Sequence, residues 1–98
     1  MNHRPGPQSD DFLRRVRAWP VSSWRLGDRI AATRRALDAL AALGAAARGV
    51  EVPDVPPLAA HVLADQLVVL IADAGAAGVP ASDVDAVITD LRTELGLG

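Results

Sequence analysis

Three prolines in the segment VEVPDVPP, residues 50–57, divide this chain into two helical regions. Proline lacks an amide hydrogen and restricts the residue before it, so this segment is expected to run extended rather than helical. The regions on both sides space their apolar residues at helical intervals. The sequence therefore predicts an all-α fold in which residues 50–57 are a linker.

The region before the linker has a heptad pattern, which we call the seam. Its positions alternate between spacings of four and three residues: Leu26, Ile30, Thr33, Leu37, Leu40, Gly44 and Ala47. This pattern predicts a long helix over residues 22–48, and Gly49 directly after it is a typical helix end. A short helix over residues 10–18 is expected before it, because Pro20 stops that segment.

The region after the linker predicts two further helices, over residues 57–75 and 82–95. Within it, residues 67–83, LVVLIADAGAAGVPASD, also allow a buried strand, a glycine turn and a helix start, an arrangement that holds phosphates. However, neither glycine-rich phosphate motif is present, the chain has no lysine, and the helical apolar stripe begins as early as Leu58. We therefore expect helix, turn and helix, with Leu70 on the buried stripe.

Together these patterns predict a small helical bundle or open helical hairpin. Three principal helices form it, with the short N-terminal helix added. Residues 1–9 are expected to be a disordered arm, because they are polar and contain two prolines and a glycine. Residues 10–98 are expected to form a single helical domain.

Charge is unevenly distributed along the chain. Residues 1–50 carry nine Arg and four Asp (+5), and residues 51–98 carry one Arg, six Asp and two Glu (−7), which sum to the net charge of −2. The basic half can pair with the acidic half, within one chain or across a dimer, or can bind phosphates. The candidates for phosphate binding are Arg14, Arg15, Arg17, Arg25, Arg29, Arg34 and Arg35.

The seam helix is longer than the last helix, so part of its apolar face is expected to need cover from a partner. The candidate partner-binding residues are Trp19, Trp24, Leu26, Ile30, Leu37, Leu40 and Val68. This pattern predicts a non-enzymatic interaction module: an adaptor, an accessory subunit or an oligomerising protein, present as a homodimer or in a hetero-complex with a larger subunit. The alternative is a nucleic-acid-associated regulator that uses the N-terminal arginines.

No pattern in the sequence indicates a catalytic residue, a metal site or a cofactor. His61 and Asp65 have the spacing of an acid–base pair on a helix, but a solvated helix face or an ordinary pair four residues apart is the favoured interpretation. The chain has no cysteine, and its most apolar run, residues 58–77, is interrupted by charged residues. We therefore expect a soluble cytoplasmic protein without a membrane partner.

Overall fold

The computed structural model describes residues 7–97, and its regular elements in that range are all helical. The α-helices are α1 (Pro7–Arg17), α2 (Val21–Trp24), α3 (Arg29–Arg48), α4 (Leu63–Ala76) and α5 (Ala81–Glu94). A 3₁₀ turn, Ala60–Val62, leads into α4. Residues 7–97 contain no strand, so the predicted all-α fold is confirmed and the phosphate-holding strand and turn over residues 67–83 is not formed.

The helix boundaries in the first half differ from the predicted ones. Helix α1 begins at Pro7, so residues 7–9 are helical rather than part of an arm; proline suits the first turn of a helix, where no amide hydrogen is needed. Residues 1–6 lie outside the described range. The predicted helix over residues 22–48 is divided into α2 and α3, because Gly27 adopts a φ of 54° in the left-handed region.

In the second half, α4 starts later than predicted. Pro57 and Leu58 belong to the linker, and a 3₁₀ turn precedes the α-helix. The last helix is close to its predicted range, and Pro80 occupies its N-cap position.

The linker runs back along α3, so that α3 and α4 are parallel. Near the start of α3, Arg34 Nη2 donates to the Leu58 carbonyl at 3.0 Å, and at its end Arg48 Nη1 donates to Asp73 Oδ2 at 2.9 Å. The rise from Arg34 to Arg48 is about 21 Å at 1.5 Å per residue, a distance that about seven residues of extended chain can span. The linker has the length needed for this crossover.

Helix α5 is antiparallel to α3 and α4, and α1 packs across α4 and α5. The direction of α5 follows from the ion pair between Arg35, near the start of α3, and Glu94, at the end of α5 (3.1 Å). All of these helices share one core. Its largest fully buried side chains are those of Phe12, Val16, Trp24, Leu37, Leu40, Leu63, Leu67, Leu91 and Leu95.

Candidate functional site

Three of the predicted partner-binding residues lie in the core of the chain itself. Trp24, Leu37 and Leu40 are each only 1% exposed, and they pack against residues of the other helices. The prediction that they form a docking surface is therefore wrong for the folded chain. The middle of the seam, residues 33–44, is covered from within, because the linker brings α4 back alongside α3 and α5 packs on the same helix.

The remaining predicted partner-binding residues divide into two groups. Trp19, Ile30 and Val68 are half-buried and pack against the core. The Trp19 ring meets Trp24 edge to face at 5.0 Å, and the Arg29 guanidinium lies 4.4 Å from the centre of the Trp19 ring. Leu26 alone among the predicted residues is a large, well-exposed apolar side chain, at 59%.

An apolar cavity of about 370 Å³ opens between the linker and α4, and we call it the linker groove. Its volume lies within the range of ordinary ligand sites. Leu58 and Val69 on its wall stay 42% and 64% exposed, although both are large and apolar. The groove is lined by Ala41, Pro53, Asp54, Val55, Pro56, Leu58, Val62, Asp65, Gln66, Val69 and Leu70.

Two side chains hold the linker in place and so give the groove its shape. Gln66 Nε2, on α4, donates to the Pro56 carbonyl at 3.2 Å. Arg34, on α3, donates to the Leu58 carbonyl. Val55, the residue just before Pro56, is half-buried and packs against the core. Because these contacts form within the free chain, the groove is built before any ligand arrives.

The charged side chains in the wall of the groove are both acidic. Asp65 pairs with Arg17 (Nε to Oδ1, 3.3 Å), and not with His61, which is exposed in the 3₁₀ turn. Asp54 is exposed on the linker, and no arginine of the described range pairs with it. The groove therefore offers an apolar surface beside an unneutralised carboxylate.

Most of the candidate phosphate-binding arginines are engaged within the chain. Arg14, Arg17 and Arg35 pair with Asp11, Asp65 and Glu94, while Arg29 and Arg34 donate to the carbonyls of Ser23 and Leu58. Within the described range, Arg15 and Arg25 are exposed and make no such contact. Three ion pairs, those of Arg17, Arg35 and Arg48, join the basic half of the chain to the acidic half.

The pair between Arg48 and Asp73 is bidentate, with both nitrogen-to-oxygen distances at 2.9 Å. These hydrogen bonds hold the pKa of Asp73 below its usual value, and they raise the pKa of Arg48. Both side chains remain partly exposed to solvent, at 40% and 49%. The pair ties the ends of the parallel helices α3 and α4 together and does not face the groove.

A second apolar surface lies between α3 and α5, lined by Ala39, Ala42, Leu43, Ala46, Asp83, Ala86 and Val87. Most of its residues are alanines, so it presents little apolar bulk. The linker groove instead presents a leucine and a valine that are both well exposed. For this reason the linker groove is the stronger candidate site.

Val69 is not among the residues predicted from the sequence, and Leu58 and Leu70 were predicted to lie on the buried stripe. The structure turns all three toward the groove. The run LVVLI, residues 67–71, could have indicated this exposure. It makes α4 apolar around most of its circumference, so some of its apolar side chains must lie on a side that the linker does not cover.

Comparison of the chain with protein-family models, with characterised proteins and with solved structures finds no match. Among the helices of residues 7–97, none combines the length and the apolar character that crossing a bilayer requires.

Proposed function

We propose that this protein is a non-enzymatic interaction module of the cytoplasm, which binds an apolar segment of a polypeptide in the linker groove. The observation that carries the proposal is the exposure of Leu58 and Val69 on an apolar cavity, at 42% and 64%. Exposed apolar side chains that share one cavity, rather than being scattered singly over the surface, are a feature of binding sites.

The construction of the groove supports this proposal. Gln66 and Arg34 fix the linker by hydrogen bonds to its carbonyls, so little conformational entropy is lost when a ligand binds. The groove also combines an apolar wall with the carboxylate of Asp54 at its edge. A polypeptide segment that carries one or two apolar side chains and a basic one matches both features.

The proposal is tested by placing a photo-crosslinking amino acid at Val69 of the full chain in the cells that express it. A matched variant carries the same amino acid at Thr89, an exposed position on α5 away from the groove. We expect a discrete protein adduct from position 69 and none from position 89. The adduct should disappear when Leu58→Asp is added, because a charge in the groove wall opposes an apolar ligand.

Two outcomes would overturn the proposal. One is the absence of any polypeptide adduct from position 69; the other is an adduct of the same mass and yield from both positions. Circular dichroism of Leu58→Asp provides the control for folding, since Leu58 lies outside the core and its replacement should leave the helical signal unchanged.

A further inference from the structure

We propose that the linker groove binds the Arg25–Leu26 corner of a second copy of this chain. The inference rests on the proposed function and names the partner. Two surfaces of the molecule are not covered by other parts of the described chain. One is the linker groove, which is apolar and has the unpaired carboxylate of Asp54. The other is the exposed side chain of Leu26, which lies beside the unpaired Arg25.

The Arg25–Leu26 corner is a fixed projection of the surface. It follows α2 and is turned by Gly27 in the left-handed region. Leu26 N–H donates to the Ser23 carbonyl, and its own carbonyl accepts from Arg29 N–H, each at 3.4 Å. Buried Trp24 anchors the segment immediately before it. The backbone that carries the 59% exposed Leu26 side chain is therefore held in position, so little ordering of the main chain is needed for binding.

The charges of the two surfaces are complementary. Arg25 is exposed, and no carboxylate of the described range pairs with it. Asp54 is exposed at the groove and has no arginine partner in that same range. Insertion of Leu26 between Leu58 and Val69 would bring Arg25 to the acidic edge. Opposite charges at the rim of an apolar contact select and orient partners.

The corner and the groove lie at the same end of the molecule. Helix α2 packs against the 3₁₀ turn. That turn begins two residues after Leu58 and includes Val62, and Leu58 and Val62 both line the groove. Two copies related by a twofold axis can therefore exchange corners, so that each groove receives the corner of the other copy. An exchange of this kind closes as a dimer and leaves no free site for further growth.

The test measures the mass of the full chain by light scattering from micromolar to millimolar concentration. Wild type should reach twice the monomer mass. Arg25→Asp and Asp54→Arg should each weaken association by at least about tenfold, because each places like charges together. The double variant that combines them should regain association, since the charges are then exchanged. Arg15→Asp, which changes another exposed and unpaired arginine, is the matched control and should leave the mass unchanged.

Leu26→Ser provides a second variant that tests the apolar contact without a change of charge, and it should give monomer. Circular dichroism checks that each variant is folded. A monomeric wild type would overturn the inference, and so would a dimer that tolerates both Leu26→Ser and Arg25→Asp. If the chain is monomeric while crosslinking from position 69 gives an adduct of another mass, this inference fails and the proposed function stands.

Discussion

Replacing Leu67 by alanine should remove a large part of the stability of this fold. Leu67 is fully buried in the middle of α4, the helix that contacts α1, α3 and α5 together. Because the Leu67 side chain has no exposed surface and lies in the core that the helices share, the site has little room to collapse, so we expect a loss of about 3–4 kcal/mol, in the middle of the range for buried leucines. A domain of this size has a total stability of about 5–15 kcal/mol. The melting temperature should fall by roughly 12–30 °C.

Val69→Ala is the matched control, because it lies two residues further along the same helix and faces outward. Val69 is 64% exposed, so few buried contacts are lost, and alanine has the better helix propensity. Its free energy of unfolding should change by less than about 0.5 kcal/mol. Urea unfolding followed by circular dichroism measures both variants, and the midpoint should move without a change of slope.

Two results would refute this account of α4. If Leu67→Ala stays within about 1 kcal/mol of wild type, the Leu67 side chain is not enclosed in the core. If Val69→Ala costs more than about 1.5 kcal/mol, the valine is part of the core and the linker groove is not an open surface.

Three further predictions concern other parts of the chain. Gly49→Ala should cost about 1 kcal/mol in urea unfolding, because Gly49 ends α3 with a φ of 69° that alanine adopts only under strain. Asp73→Asn should be less stable than wild type at neutral pH; since Arg48 lowers the pKa of Asp73, the difference should shrink as the pH falls below about 4, as thermal melts across that range would show. Fluorescence anisotropy with a generic DNA duplex should show binding no tighter than about 1 µM that is lost with added salt, whereas nanomolar affinity at physiological salt would support the nucleic-acid alternative.

Helical periodicity was sufficient to predict which segments form helices and most of the apolar residues that these helices bury. Leu67 and Ile71 follow that periodicity, and both are buried as the pattern indicates. The break at Gly27 was not predicted, because a single glycine within a helical pattern is compatible with a continuous helix. Its φ of 54° depends on tertiary contacts that the sequence pattern does not express, such as the burial of Trp24 and the hydrogen bond from Arg29 to the Ser23 carbonyl.

The candidate site could be predicted only in part. The sequence indicated that an apolar face needs cover, and it singled out Leu26, which is exposed. It did not reveal whether the linker turns sharply or runs back along α3. The path of the linker determines which residues are buried. Because the linker runs back along α3, α4 lies parallel to α3 and covers Leu37, while Val69 stays exposed beside the linker.

The parallel arrangement of α3 and α4 also constrains how the chain folds as it is synthesised. The side chains of Leu37 and Leu40 have no cover until the linker and both later helices have left the ribosome. Arg35 and Arg48 meet their carboxylates at the same late stage, because Glu94 and Asp73 belong to α5 and α4. A nascent chain that ends near residue 58 therefore presents an apolar, basic helix of the kind that chaperones hold and that aggregates at high concentration. In the folded chain, α4 and α5 cover this apolar face of α3.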